Sequence, residues 1–448
     1  MRSRSASWWW LLRKEWRELR AARAWWVLLF LMGPLVGFAF ISAVRTYAEA
    51  SGFNGSAAGV GEAFSPLVGI WAPTFSACEL AAVFLLPFVA IRLMAGDRQS
   101  GALKVELQHQ MPAIARVAAK VIVLGAGWLL ASGPAAIAVV LWRFYGGTSY
   151  NPELATVAFG HMTNAGLTIS LAAAASSMTD HPATAAIVTL SVTVGTWILN
   201  FVAAVQGGIW ERLARYTPTA MVAEFQHGLI RLDVVLAAAA LIAIGIGLAT
   251  IWIRLGVSIR RRVLESFVLA ACGLVAVAIS AMATASWDTS ESRQNSFSVA
   301  DERALAAIPK PISVEVHLAP EDPRRVDLDR RVLSKLRRVR PDVMVRYISA
   351  TTIGLFEQTN PGYGEVWFDV GGRQATTRAI TEDAVLGTIY TLAEATPLAS
   401  EEDGIFRGHP LATEPRGAAL IFYVLWPGLI VVMSVLGRVP FSYRGFRL

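Results

Sequence analysis

The chain has 448 residues, of which 54% are apolar and only 16% charged. So little polar surface to cover so much apolar mass argues against a purely soluble chain, and a disordered one is excluded because it would need low hydrophobicity with high net charge. The net charge of +7 comes almost wholly from arginine, 35 residues against 5 lysines, while the two cysteines, Cys78 and Cys272, exclude a disulfide framework or a cysteine-ligated zinc or iron–sulfur cluster within one chain.

Residues 5–23, SASWWWLLRKEWRELRAAR, read as an amphipathic helix with Trp8, Trp9, Trp10, Trp16 and a basic face. Such a helix lies in the headgroup plane. Eight apolar stretches long enough to cross a bilayer follow, at 24–46, 68–94, 117–142, 154–178, 183–206, 232–254, 264–286 and 417–437. No cleavable signal peptide is expected ahead of them, because the first apolar run is long and has no small-residue cleavage site after a short core.

Basic residues in the short loops orient the spans. With the N-terminus inside, the inside segments hold 19 Lys and Arg, at 2–23, 92–120, 254–262 and 438–447, and the short outside loops hold 5. The expected topology therefore places both termini in the cytoplasm. Segment 287–416 differs in composition, with 16 basic and 20 acidic residues, and falls outside the membrane between spans seven and eight. It has its own α/β pattern. Ser298 with Asp301 can cap a helix through Ala307. Ile312–Leu318, Val343–Ile348, Glu365–Val370 and 373–379 read as strands, the last two joined at Gly371–Gly372. Helical patterns cover Asp327–Arg340 and Thr381–Thr396, the latter with Thr381 as its cap. Residues 397–416 read as a linker.

The fold expected is a polytopic α-helical membrane protein of about eight spans with a small extracytoplasmic α/β domain. Its divisions are an interfacial helix (1–23), a six-helix domain (24–256), a seventh span (264–286), the soluble domain (287–416), an eighth span (417–437) and a cytoplasmic tail (438–448).

No catalytic constellation is visible. A phosphate-cradling loop needs Gly-Lys-Ser/Thr. The lysines follow Arg13, Leu103, Ala119, Pro309 and Ser334, never glycine. No HExxH helix or GxSxG elbow occurs. The histidines at 109, 161, 181, 227, 317 and 409 have no ligand spacing, so neither a catalytic nor a metal site is expected.

The cytoplasmic segment between spans two and three reads RLMAGDRQSGALKVELQHQMPAIARVAAK over Arg92–Lys120. Gly96 with Asp97 is expected to end the membrane helix, Ser100–Gly101 to turn, Ala102–Gln108 to form a short amphipathic helix, and Pro112 to break it. On residues alone this is either a solvated loop bearing positive-inside charges or a docking element. Asp97, Arg98, Gly101, Leu103, Leu107, Pro112 and Lys120 resemble, by type and spacing, the coupling-helix loop of type-2 ABC transporter permeases. That loop runs acid-Arg-x-x-Gly-Thr-Leu-x-x-x-Leu, then proline, then lysine; Ala102 stands here where the family has Thr, and Asp97 where it has Glu.

The resemblance covers residues 1–256. It implies that 5–23 is an elbow helix and that Gly208–Asp233, with Pro218, Gly228 and Leu229, is an outer re-entrant segment; the alternative for the latter is an ordinary amphipathic loop. Segment 287–396 is similar to the auxiliary extracytoplasmic domain of gliding-motility-type ABC transporters, through Asp288–Thr289, the helix before Pro309, the strand at Ser313–His317 and the helix Thr381–Ala395. The Gly-His-Gly-Glu segment of that family is represented at best by Gly408–His409–Pro410.

These resemblances imply a permease subunit of an ABC exporter in the bacterial inner membrane. Two copies would each bind a separate cytoplasmic ATPase through 95–112, with ATP and magnesium held by that partner and no cofactor in this chain. Membrane lipids are expected partners and nucleic acid is not. The alternative is a scaffold or mechanotransmission subunit in which hydrolysis drives an envelope process without transport. An intramembrane enzyme has no convergent nucleophile and base to support it. A Trp-rich cavity would suit lipid-like or peptide cargo, but fifteen tryptophans fit interfacial belts equally well.

Polar residues inside spans are costly and mark functional candidates. Glu79 in span two, His161 and Asn164 one turn apart in span four, and Asn200 in span five are candidates for a substrate path or gate. Interhelical hydrogen bonding at a packed interface is the alternative for each. His317 is expected to be packed or solvated on its strand. The basic run Arg330, Arg331, Lys335, Arg337, Arg338 and Arg340 reads either as a lipid or partner contact or as a solvated face balanced by Asp327 and Asp329.

Overall fold

A computed structural model describes residues 2–53, 65–99, 111–206, 209–254, 256–291, 293–319, 322–348, 362–395 and 408–436. The protein is mostly helical and divides into two compact units, one of Met1–Trp197, Tyr216–Ala285 and Arg407–Leu448, the other of Ile198–Arg215 and Ser286–Phe406.

The chain opens with α1 (Arg2–Ala21) and α2 (Arg23–Phe53), separated at Ala22. A π-helical turn, Leu67–Trp71, leads into α3 (Ala72–Phe84) and α4 (Leu86–Gln99). The end expected at Gly96–Asp97 is overtaken, since α4 runs on to Gln99. Neither residue forbids helix, and glycine costs only about 1 kcal/mol there.

The single run expected at 117–142 is two helices, α5 (Ala113–Ala131) and α6 (Gly133–Phe144). They part at Ser132 because Gly133–Pro134 supplies a flexible residue and then one without an amide donor. Next come α7 (Asn151–Met178) and α8 (Pro182–Gln206), and then α9 (Ile209–Ala214), α10 (Pro218–Gln226), α11 (Leu232–Ile253) and α12 (Ile259–Ser280). Thr217 caps α10, accepting from the Ala220 amide at 3.3 Å.

Seven helical segments among the described residues are long and apolar enough to cross a membrane: Arg23–Gly52, Leu67–Gly96, Ala113–Phe144, Pro182–Ala203, Leu232–Ile253, Ile259–Ser280 and Ala418–Leu436. The fourth expected span, α7, has 28 residues and is long enough, but it is less apolar than these. Its surroundings explain the difference. It packs against α3, α4, α5, α10 and α11, and Glu153, Thr156, His161, Asn164, Thr168, Ser170, Ser176 and Ser177 along it are all buried. Ser170, Ser176 and Ser177 donate to carbonyls three or four residues earlier on the same helix, at 2.6–2.9 Å. Hydroxyls satisfied in this way need no water. Small residues bring its neighbours close: a side chain at Gly245 of α11 would meet Ser170, and one at Gly160 would meet the Phe225 ring.

The last apolar helix, Ala418–Leu436, docks on α2. Phe422 and Trp426, one turn apart, fill a notch made by Gly33 and Gly37, and a Cβ at either glycine would overlap one of those rings. Glycines four apart let helices approach this closely in lipid, where dispersion contacts replace the hydrophobic drive. Trp426 Nε1 donates to the Leu29 carbonyl at 2.7 Å. The chain leading into this helix is held by α2 as well: the Tyr47 hydroxyl donates to the His409 carbonyl at 2.5 Å, and the Leu411 amide to Ser51 Oγ at 3.1 Å.

The second unit contains a four-stranded sheet. Strands β1 (Ile312–Val316), β2 (Met344–Tyr347), β3 (Val366–Val370) and β4 (Arg373–Thr377) lie in the order β2-β1-β3-β4. β1 pairs parallel with β2 and antiparallel with β3, and β3 turns into β4. Gly371 and Gly372 at that turn have φ of 62° and 89°, as a two-residue hairpin of the favoured twist requires. Alternate residues Ile312, Val314, Val316, Val366, Phe368 and Val370 are buried and pack on Leu328, Val332 and Leu336 and on Val385 and Ile389.

The helical run begins at Pro323, earlier than the expected Asp327, because Asp322 caps it through the Arg324 amide at 2.9 Å. The helix Glu382–Ala393 begins after Thr381, whose side chain makes no capping bond. Ser298 caps Val299–Ala307 as expected, at 3.0 Å.

Replacing Gly37 by Leu should force Phe422 out of the notch and destabilise the protein by about 1–3 kcal/mol, as overpacking does. Thermal melting in detergent reads the loss, and Phe422→Ala combined with Gly37→Leu should restore part of it. A Gly37→Leu protein that melts with the wild type would show that the notch contributes nothing.

Candidate functional site

Three of the four polar candidates within the apolar helices lie on α3 and α7, which flank α10 at different heights. Phe75 and Glu79 lie one turn apart on α3, His161 and Asn164 on α7, and Thr219 and Gln226 at the two ends of α10. The half-buried Glu79 carboxylate accepts from the Thr219 hydroxyl. His161 is 4% exposed, its Nε2 is 3.4 Å from Gln226 Nε2, and its ring lies 5.5 Å from that of Phe75. Asn164 is 2% exposed. Among the described residues, His161 Nδ1 and Asn164 Nδ2 have no hydrogen-bond partner.

Buried polar atoms are nearly always paired, so the orphaned atoms of His161 and Asn164, one turn apart, mark an unusual spot in the interior. At one end of α10 lies an acceptor, Glu79 at Thr219; at the other lie a group able to donate or accept, His161 at Gln226, and the Asn164 amide beside it on α7. Neither end offers a nucleophile with an adjacent base.

The placement follows from α10. Pro218 starts the helix, Thr217 caps it, and Met221, Val222 and Phe225 bury its apolar side. Phe225 fits over Gly160 and meets Phe159 edge-on at 5.5 Å. The stretch expected to be re-entrant or a plain loop is thus helical over Pro218–Gln226 and packed on α7. Asn200 is half-buried on α8 and belongs to the second unit.

A second polar feature escaped the sequence reading. Glu15, on the amphipathic helix α1, is 0% exposed, and Lys120, on α5, is 1% exposed. Lys120 Nζ donates to Glu15 Oε2 at 2.7 Å and to the Leu93 carbonyl of α4 at 3.2 Å. Lys14 reaches Glu15 and Glu18 at 3.3 and 3.0 Å. Burial pushes the Glu15 carboxyl up from its ordinary value, against the downward pull of Lys120 and Lys14.

The face of α1 bearing Leu11, Glu15 and Leu19 is therefore packed on protein, with Leu19 against Gly127 of α5, while Trp9 and Trp10 stay exposed. The sequence signal was an acid at helical spacing between two leucines, opposite a lysine already singled out at 120.

The expected coupling segment is only partly described. Asp97 and Arg98 lie in the last turn of α4, and Pro112 is the extended residue just before α5, with φ −65° and ψ 146°. Gly101, Leu103 and Leu107, with the helix expected at Ala102–Gln108, lie outside the described residues.

In the second unit the basic run is largely consumed internally. Lys335 pairs with Glu382 at 2.7 Å, Arg337 donates to the Tyr347 hydroxyl at 2.9 Å, and Arg340 pairs with Asp342 at 2.6 Å. His317 stacks on Trp367 with ring centroids 5.5 Å apart. Among the described residues no group of three or more His, Cys, Asp or Glu could hold a metal ion. Comparison with known protein families, with curated proteins and with solved structures finds no match.

The buried ion pair sets up a test. Lys120→Met leaves the buried Glu15 carboxylate with Lys14 at 3.3 Å in place of the closer Lys120, which costs up to about 3–5 kcal/mol, whereas Glu15→Met with Lys120→Met should recover most of it. In Lys120→Met alone, the folded protein holds the Glu15 proton more tightly than the unfolded chain does. Stability should then rise as pH falls toward the ordinary carboxylate range and drop as pH rises. Thermal melts of both variants across that range read the effect; equal losses in single and double variants at all pH would refute the pairing.

Proposed function

We propose that the chain is the membrane permease subunit of an ATP-driven ABC exporter. In this reading α7 is the eighth span, both termini are cytoplasmic, and the sheet-bearing unit is extracytoplasmic. Two copies form the pathway in a bacterial inner membrane. Each docks a separate ATPase, which carries ATP and magnesium, through segment 95–112. Glu79, His161 and Asn164 belong to the pathway or its gate.

The observation that carries the reading is the Asp97–Arg98…Gly101…Leu103…Leu107…Pro112 spacing between α4 and α5. The tie of Lys120 to both Leu93 and Glu15 supports it, because it fixes against each other the two helices that bound this segment. Closure of an ATPase pair would then be passed on as rigid-body movement.

On the helix expected from the sequence at Ala102–Gln108, Leu103 and Leu107 would share one face, and their burial against an ATPase could contribute about 3–5 kcal/mol before ordering costs. Charges placed there would enter a desolvated groove. Leu103→Asp with Leu107→Asp should abolish co-purification, in detergent, of an ATPase bearing the Gly-Lys-Ser/Thr loop. A folded double variant that keeps its ATPase would overturn the docking assignment.

Topology has its own test. Ser334 is exposed on its helix. A cysteine there should react with an impermeant maleimide in cells whose outer barrier has been opened. Labelling only after lysis of the inner membrane would invert the topology.

A further inference from the structure

A cavity of about 630 Å³ opens where α1 gives way to α2, beside α4 and the start of α8. Its volume is that of an ordinary small-ligand site. Two groups of residues line it. Arg23 and Arg92 bring positive charge; Phe88, Ile91, Ala95 and Ala186 form an apolar floor. Both arginines are exposed, and no acidic side chain among the described residues pairs with either.

The position along the helices defines the environment. Arg23 begins the apolar helix Arg23–Gly52, Arg92 lies in the last turns of Leu67–Gly96, and Pro182 begins Pro182–Ala203. The cavity thus lies at the same end of three apolar helices, at the depth where hydrocarbon meets headgroups. Phe88 is 48% exposed, and Phe84 and Val27 continue the exposed apolar surface away from the arginines at 38% and 53%.

We propose that this cavity binds an anionic phospholipid of the surrounding bilayer, its phosphodiester between Arg23 and Arg92 and its acyl chains against Phe88, Ile91 and Ala186. The division into a cationic mouth and an apolar floor matches a headgroup continuous with hydrocarbon. A free phosphate would leave the floor unused. A zwitterionic lipid carries the same phosphodiester but adds an ammonium, which two arginines repel. The site depends only on the membrane character of the helices, so it stands whether or not an ATPase docks at 95–112.

The test uses the full chain, purified in mild detergent and stripped of lipid. Phosphatidylglycerol, phosphatidylcholine and inorganic phosphate are added separately, and bound lipid is counted by native mass spectrometry beside a thermal melt. Phosphatidylglycerol should bind and raise the melting temperature; the other two should not. Arg23→Ala with Arg92→Ala should lower phosphatidylglycerol retention on the order of tenfold, from two surface-level cationic contacts.

Ala183→Trp, which fills the cavity from its exposed rim and keeps both charges, should lower retention as well, and it decides the matter if the arginine variant fails to fold. Arg13→Ala with Arg17→Ala removes two charges from α1 and should leave retention unchanged. Three results would overturn the site: equal binding of the two lipids, undiminished retention in the folded Arg23/Arg92 or Ala183 variants, or an equal loss in the Arg13/Arg17 control. A melting shift with inorganic phosphate alone would equally exclude a lipid site.

Discussion

A helix with hydroxyls, a histidine, an asparagine and a glutamate can lie among apolar helices only where protein, not lipid, surrounds it. α7 meets that constraint, and the arrangement of the first unit follows from it. Five helices have to cover it, and they do: α3, α4, α5, α10 and α11. Covering it closely needs small residues at the contacts, which Gly160, Gly166 and Gly245 provide. It also needs an extra piece, because spanning helices alone leave part of α7 uncovered. The short helix α10 supplies it, with Phe225 seated over Gly160. The partners of Glu79 and His161 are thus not an ornament on a finished bundle; Thr219 and Gln226 are there because α10 covers α7.

The outer helices obey the opposite rule. On α12 only Gly273 and Ser280 are buried, and Phe267 and Leu274 are each 72% exposed. Such a helix is held by few contacts, so each must be close: Gly273 receives Ile244 and Gly247 receives Leu269. The final helix uses the same device on α2, with rings in place of aliphatic chains. Between apolar helices in lipid there is little hydrophobic gain, and shape supplies the attachment.

Most elements were legible because their signals are periodic. The seven apolar helices follow from run length, and β1 and β3 from strict alternation. The hairpin followed from Gly371–Gly372, and the helix Val299–Ala307 from Ser298 and Asp301. What sequence reasoning missed depends on partners distant in the chain. Glu15 looked like one acid on a basic amphipathic helix, and only its contact with Lys120, 105 positions away, removes it from water. Gly33 and Gly37 were read as part of an apolar run, though their spacing was visible; Phe422 and Trp426, which give that spacing meaning, are nearly 400 positions off. Ends failed for a local reason: Gly96 is a permitted helix residue as well as a stop signal, and the chain used it as the former. Glu79, His161 and Asn164 were legible as costly residues, but the partners of Glu79 and His161 were not, since Thr219 and Gln226 lie on a segment whose helical character the sequence left open.

The Lys120 junction shows why a polar contact is used where leucines would bury as much surface. Helices in contact through apolar side chains alone can slide or rotate against one another at little cost. Lys120 bonds to two different elements, at 2.7 and 3.2 Å. A shift of α1 by one residue would leave a charge buried and unpaired, which is far costlier than a displaced leucine. The pair therefore selects one register rather than adding much net stability. α4 and α5, which bound the segment 95–112, are held in that register together with α1. Moving α5 away from α4 breaks the Lys120 bond to the Leu93 carbonyl, and moving it away from α1 separates the buried ion pair, so Lys120 ties all three helices together. That property belongs to the geometry of Glu15, Leu93 and Lys120 alone, whatever docks at the segment they enclose.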